Sequence, residues 1–185
     1  MQNHPKNEST LVIIKPDGIQ RALIGEIIRR YERAGLKLAG IKMVVPTEQM
    51  AIDHYYTVGG DDWLEEVGRK AREAYEKKGL KSPYQTNMEN GRAVMMSNAK
   101  YLSAGPVIAM IWQGNQAVAL VRKLTGGTEP LTSDVGTIRG DFTLDSYSIA
   151  DADGRSVRNL IHASGSVEEY NKERAIWFRD EEILA

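Results

Sequence analysis

The chain has 185 residues, 42% of them hydrophobic and 26% charged, which is enough apolar material for a core without disulfide or metal staples and too much for global disorder. Lys and Arg number 24 against 25 Asp and Glu, so the net charge of −1 excludes a general attraction to nucleic acid or anionic membranes while allowing a local basic pocket. The absence of cysteine excludes disulfide frameworks, thiolate metal sites and cysteine nucleophiles, and suits a reducing cytosol. No apolar run approaches the ~20 residues of a membrane span, and the polar start MQNHPKNEST lacks a signal-peptide core. The expectation is a cytoplasmic globular protein.

Residues 1–9 are expected to form a mobile tail. TLVIIK (10–15) is rich in β-branched residues and predicts a strand, broken by PDG (16–18). Ile24, Ile27, Ile28 and Tyr31 mark one face of a helix over 24–34, which Gly35 stops. LKLAGIKMVV (36–45) predicts a second strand, and Thr47 can cap a short helix through about Tyr56. In the charged stretch 61–78, Trp63, Val67, Ala71, Ala74 and Tyr75 make a narrow apolar stripe on a helix with acidic residues first and lysines last. Residues 80–98 are polar and loop-like. The span 59–98 thus has the character of an insertion, one amphipathic helix plus loop.

GPVIAMIWQG (105–114) predicts a buried strand, followed by a helix over about 115–124 and a long polar segment over 125–140. FTLDSYSI (142–149) reads as strand, DADG (151–154) as turn, and NLIH (159–162) as a further apolar stretch. Ser166 and Glu169 form an S-x-x-E capping box that opens a last helix to about Phe178. The order of elements predicts an α+β fold, a ferredoxin-like α/β sandwich with a four-stranded antiparallel sheet, helices on one face and a helical insertion.

Only three histidines are present. His4 lies in the tail, and His54, on the short helix, is assigned to packing or surface. His162 ends an apolar stretch before the small-residue turn ASGS, at a strand-to-helix junction where functional side chains are often presented; a structural role stays open beside a chemical one. Lys15, Arg122, Arg139 and Arg158 lie near short apolar runs. They are surface solubilisers unless the fold gathers them, in which case they make a phosphate cradle. No P-loop, kinase glycine loop, HExxH or GxGxxG motif is present.

The blocks TLVIIKPDGIQRALIGEIIRRYERAGLKLAGIKM (10–43), GPVIAMIWQG, GTEP (127–130), GTIRGDF (136–142) and NLIHASGSVEE with the KE and IWF that follow (159–178) span nearly the whole chain outside 59–98. In this order they closely resemble the nucleoside diphosphate kinase family. The resemblance implies transfer of the terminal phosphate from a nucleoside triphosphate such as ATP to a nucleoside diphosphate, ping-pong, through a phosphohistidine. It places His162 as nucleophile, Glu173 as the carboxylate that orients its ring, and Ser164 and Ser166 as hydroxyls around it. By the same match Arg122, Thr128 and Arg139 hold phosphates and Lys15 and Asn159 bind the ribose hydroxyls. Lys15 also lies near the transferred phosphate, and Tyr55 is an active-site tyrosine. The cofactor implied is Mg²⁺ carried in by the nucleotide phosphates. The assembly implied is a homo-oligomer, hexamer or tetramer, with no nucleic-acid or membrane partner.

The chain departs from the family pattern in three places. Gly165 stands where an acidic residue helps hold Mg²⁺ through water. The 59–98 insertion replaces the segment that offers a ring to the base, with Tyr84 or Trp63 as possible substitutes. Segment 143–158 is longer than usual, and Val135 replaces a loop proline. These departures motivate one alternative, a catalytically silent nucleotide-binding or scaffold relative. RNA binding on the sheet is a third hypothesis, disfavoured by the net charge and the lack of paired sheet aromatics. The insertion is expected either to wall the nucleotide cleft or to decorate the periphery.

Overall fold

The computed structural model describes residues 7–77 and 79–184. Strand β1 (Glu8–Ile14) lies between β3 (Val107–Gly114) and the short β4 (Ile161–Ala163), and β2 (Lys37–Val44) flanks β3, giving the antiparallel order β2-β3-β1-β4. Glu8 and Ser9, expected in the tail, pair with Gly114 and Gln113; residues 1–6, with His4, lie outside the described residues.

The near-continuous apolar runs of β1 and β3 have a direct cause, burial on both faces. Val12, Ile14, Ile108, Met110 and Trp112 point to one core, completed by α2 (Ile24–Arg33), α5 (Ala117–Thr125) and α6 (Ile138–Phe142). Leu11, Ile13, Val107, Ala109 and Ile111 point to the other, completed by α3 (Glu48–Lys77), α4 (Asn87–Leu102) and α8 (Val167–Trp177). Helices therefore cover both faces, not one as expected. PDG does end β1, but as the first turn of a short helix, α1 (Pro16–Gln20), with Pro16 at a position where its missing N–H is no loss.

The short helix expected at 47–56 and the charged helix at 61–78 are one element, α3, bent at Gly60, whose φ of 54° favours glycine. The stretch expected to be a loop over 80–98 contains most of α4. Thr86 accepts from the Glu89 N–H and Glu89 accepts from the Thr86 N–H, a capping box that was legible as T-x-x-E. The buried row of α4 is Gly91, Met95, Ala99 and Leu102, too weakly apolar to stand out in sequence. α3 and α4 form a hairpin whose backbones nearly touch: a Cβ on Gly68 would meet the Asn87 carbonyl oxygen at 1.7 Å, and one on Gly91 the Leu64 oxygen at 2.0 Å.

The strand expected over 142–149 is absent. The segment instead leads into α7 (Tyr147–Ala152), capped by Ser146 Oγ accepting from the Ile149 N–H, and leaves Leu144, Tyr147 and Ile149 exposed. It pairs with no strand of the sheet, and Arg155 clamps Asp145 at 2.6 and 2.9 Å instead. The polar segment 125–140 holds a 3-10 turn at Pro130–Thr132 and the start of α6. Among the described residues no helix is long and apolar enough to cross a membrane.

Candidate active site

His162 sits in β4 directly opposite Ile13, so its side chain leaves the sheet on the face covered by α3 and α8. Its Nε2 is buried and turned inward, 2.8 Å from Glu173 Oε1 on α8, an approach that is close but off the line of the ring N–H. The nitrogen offered to the cleft is therefore Nδ1. Glu173 is fully buried; its other oxygen accepts from Ser164 Oγ at 2.5 Å, and that hydroxyl accepts in turn from the Leu11 N–H. Burial alone would raise the Glu173 pKa, but the charge and contact of His162, His54 and the Ser164 hydroxyl outweigh it and the net shift is downward. Ser166 does not join this group: its hydroxyl caps α8 by accepting from the Glu169 N–H. The expected reciprocal capping bond is displaced by one residue, because Glu169 Oε2 accepts from the Gly165 N–H at 2.6 Å.

His54, assigned by sequence to packing or surface, is buried against the site. Its ring meets that of His162 edge-on at 4.5 Å, and its Nε2 lies 3.9 Å from Glu173 Oε1. Trp177 Nε1 donates to His54 Nδ1 at 3.2 Å, which leaves the His54 proton on Nε2, facing the carboxylate. Burial, then the neighbouring His162, push His54 down to about 3, so it is neutral at physiological pH. The signal that could have found it is its helical spacing from the small apolar Ala51, which turns both inward.

Lys15, at the end of β1, is buried, and its ammonium donates to Asn159 Oδ1 at 2.9 Å. Burial, then the charge of Arg139, lower it to about 7, with Asp17 opposing. Asn159 in turn donates from Nδ2 to the Thr128 carbonyl at 3.0 Å. Arg139 is held by four carbonyls: Nε to Asn159, Nη1 to Gly126 and Gly127, and Nη2 to Ile161. Since a guanidinium has five N–H groups, one remains on Nη2. Burial chiefly, with Arg122 adding, lowers Arg139 to about 10, still cationic at neutral pH.

Sequence reasoning also missed the frame behind Lys15. Tyr101 on α4 donates to Asp17 Oδ1 at 2.6 Å, and Asp17 Oδ2 accepts from the Leu160 N–H at 3.3 Å. Leu160 has φ of 65°, unfavourable for a branched side chain, and its carbonyl accepts from the Lys15 N–H at 2.8 Å. This bend sets both Asn159 and His162.

A cleft of about 840 Å³ takes in Lys15, Tyr55, Arg122, Thr128, Arg139, Asn159, His162 and Glu173 together. Every sequence-predicted site residue except the two serines therefore faces one space. Its far wall is the α3–α4 hairpin, including Trp63; Tyr84 is exposed elsewhere. Burial pushes the Tyr55 phenol up, with Glu173 adding to it, so the hydroxyl is a neutral donor or acceptor.

His54, His162 and Glu173 also form the cluster best placed to hold a cation, their ligand atoms within 4.8 Å of one another. Two imidazoles and one carboxylate, with His54 Nδ1 already taken by Trp177, do not fit Mg²⁺, which takes oxygen ligands. A better acidic oxygen lies nearby. A Cβ on Gly165 would meet the Glu169 carboxylate at 2.6 Å, so Glu169, a cleft residue, fills the space of a side chain at 165.

The model of the nucleoside diphosphate kinase family matches residues 8–69 and 67–183. A nucleoside diphosphate kinase of Pyrobaculum aerophilum is 43% identical over 96% of this chain and 98% of its own length. Human nucleoside diphosphate kinase 3 is 38% identical over 96% of this chain and 81% of its own. Among solved structures, an NDP kinase from Pyrobaculum aerophilum superposes with a TM-score of 0.92 at 40% identity, covering 97% of this chain and 100% of that one. A transition-state mimic of the Borrelia burgdorferi nucleoside-diphosphate kinase with bound vanadate and ADP gives 0.76 at 35% identity, covering 96% and 90%.

Proposed function

The chain belongs to the nucleoside diphosphate kinase family and is a phosphotransferase of that kind, and we propose that it moves the γ-phosphate of a nucleoside triphosphate, ATP included, to a nucleoside diphosphate through His162. One observation carries this assignment. His162 Nε2 faces a buried carboxylate at 2.8 Å, while Nδ1 opens onto the cleft lined by Lys15, Arg122 and Arg139.

In the first half-reaction the Nδ1 lone pair attacks the γ-phosphorus in line. A P–N bond forms, the bond to the β–γ bridging oxygen breaks, and the diphosphate leaves with that electron pair. A terminal oxygen of a second diphosphate then attacks the same phosphorus and the P–N bond breaks, returning the pair to Nδ1. Glu173 keeps the proton on Nε2, so the nucleophile needs no separate base, and stabilises the ring as it becomes cationic. Lys15, Arg122 and the remaining N–H of Arg139 offset charge on the equatorial oxygens, Thr128 adds a phosphate contact, and Asn159 and Lys15 hold the ribose hydroxyls. Tyr55 lines the same end of the cleft.

Mg²⁺ is the cation we assign, held chiefly by the nucleotide's phosphate oxygens with Glu169 as the acidic group at its side; when bound it neutralises developing phosphate charge. Residues 10–185 form a single catalytic domain with 59–98 as an insertion, supported by the two family-model matches meeting at 67–69, within α3. We assign the protein to the cytoplasm, in keeping with its lack of cysteine. A homo-oligomer, hexamer or tetramer, is supported by the exposed apolar side chains of the edge strand β2, where Ile41 and Met43 are 48% and 61% exposed, and of Val45 just beyond it, 71% exposed.

Initial rates of UTP formation from ATP and UDP test the mechanism. Parallel double-reciprocal lines, and loss of transfer in His162→Ala, are the expected result; intersecting lines or a fully active His162→Ala protein would refute it.

A further inference from the structure

Lys15 is only 6% exposed, yet it lines the cavity that holds His162. Its ammonium donates to Asn159 Oδ1 at 2.9 Å and lies over the Tyr101 ring, 4.7 Å from the centroid. Asp17, the carboxylate that acts on it, is directed elsewhere: its two oxygens accept from the Tyr101 hydroxyl and the Leu160 N–H. The guanidinium groups of Arg122 and Arg139 border the same space. Cations gathered in this way attract an anion, and each disfavours its neighbours' charge. The lysine is the one that can discharge, since a guanidinium keeps its proton in neutral water. Lysines elsewhere are held as ammonium groups in surface ion pairs: Lys42 with Glu182 at 2.8 Å, Lys172 with Glu168 at 2.9 Å and Lys70 with Glu66 at 3.1 Å.

We propose that Lys15 is a covalent modification site: it takes the acyl group of a small acyl phosphate, and acylation switches off phosphate transfer. The second half rests on the assignment above; the first needs only the cavity and its charges. An acyl phosphate carries the anion that Arg122 and Arg139 attract, joined to an electrophilic carbonyl carbon. The Lys15 Nζ lone pair attacks that carbon and a C–N bond forms. The bond from the carbonyl carbon to the phosphate oxygen breaks, and inorganic phosphate leaves with the electron pair and takes up the amine's proton. Nothing is oxidised or reduced. Asn159 Oδ1 accepts one N–H of the amine throughout, which holds Nζ at the cavity wall.

The free amine that attack requires is present near neutral pH, because burial and Arg139 bring Lys15 down to about 7. The charged and titratable groups that bear on it come from every side: Asp17 on α1, His54 on α3, Tyr101 on α4, Arg122 on α5, Arg139 on α6, His162 on β4 and Glu173 on α8. The amide product has no charge, so an acylated Lys15 can no longer offset phosphate charge.

The test incubates the full-length protein with acetyl phosphate between pH 6 and 9 and maps acetyl groups by peptide mass spectrometry. Lys15 is expected to be acetylated at least tenfold faster than the surface lysines, with a rate that levels off above pH 8 while theirs keep rising. ADP is expected to protect it. Arg122→Ala is expected to slow the reaction at least fivefold with acetyl phosphate, but less than twofold with acetic anhydride, which carries no phosphate. ADP protection carries the test if that variant does not fold. Lys15 labelling no faster than that of the surface lysines, labelling indifferent to ADP, or phosphate on His162 with no acetyl group on Lys15 would overturn the site. Loss of ATP–UDP transfer in proportion to acetylated Lys15 is expected in the same samples, and full transfer by the acetylated protein would overturn the switch. If the unmodified protein transferred no phosphate, the kinase assignment would fail while labelling and protection still decided the modification site.

Discussion

At the scale of single residues the site depends on keeping some groups neutral and others charged. Lys15 is the most finely balanced. Its folded pKa, about 7, lies far below the 10.5 of a free side chain, because burial and Arg139 outweigh Asp17. Between those values the empty folded protein binds fewer protons than the unfolded chain, so the cost of burying Lys15 is full below pH 7 and fades as pH rises toward 10.5. Nucleotide phosphates reverse the balance by restoring the ammonium. Binding of ADP at pH 8 is therefore expected to take up a proton, read by calorimetry in buffers of different ionisation enthalpy, and Lys15→Met is expected to abolish the uptake. Equal proton exchange in the two proteins would show that Lys15 does not titrate on binding. Glu173 poses a complementary question. Glu173→Gln leaves a group of the same shape but removes the charge facing His162 Nε2, and we expect the rate of phosphoenzyme formation to fall on the order of 10²-fold. Rapid-quench labelling measures this, and a rate within twofold of the unchanged protein would contradict the orienting role.

At the scale of elements the hairpin of α3 and α4 is the most constrained piece. Gly68 and Gly91 allow the two backbones to meet, and a methyl group at either would run into a carbonyl that cannot swing aside. Gly68→Ala is expected to destabilise the protein by about 3 kcal/mol, the upper part of the usual cost of overpacking, and urea unfolding measures it; a loss below ~0.5 kcal/mol would mean the helices separate freely. Thr86→Ala, which removes a cap, is expected to lose only about 1 kcal/mol in the same experiment. The hairpin also shows where sequence patterns fail. β1, β3 and α2 were legible because β-branched runs and one clean helical face carried them. α4 was not, because its contact face is Gly91, Met95 and Ala99, and close approach selects small residues that look like no face at all. Residues 142–149 misled in the opposite way: alternation predicted a strand, but a side-chain cap from Ser146 and the Asp145–Arg155 pair hold the segment in another shape.

At the scale of the whole molecule, β1, β4, α3, α5, α6 and α8, with the loops around them, deliver groups to one cleft. Lys15 lies more than a hundred positions before Arg122 and Arg139, and no spacing rule reveals that they converge. Resemblance to a family made most of the site legible; physical periodicity made the scaffold legible. Neither exposed the His54–Trp177 contact or the Tyr101–Asp17 brace, which exist only through long-range packing. The exposed β2 edge belongs to this scale too. Met43→Glu is expected to lower the molar mass seen by light scattering from that of a homo-oligomer, and an unchanged mass would place the interface elsewhere. The central claim is that phosphate passes through one ring nitrogen of His162. Its most direct test is incubation with ATP, acid-free isolation of the phosphorylated protein, and mapping of the modified atom. The account predicts an acid-labile phosphate on His162 Nδ1, removed by added nucleoside diphosphate; a phosphate on any other residue, or steady transfer with no phosphoenzyme, would contradict it.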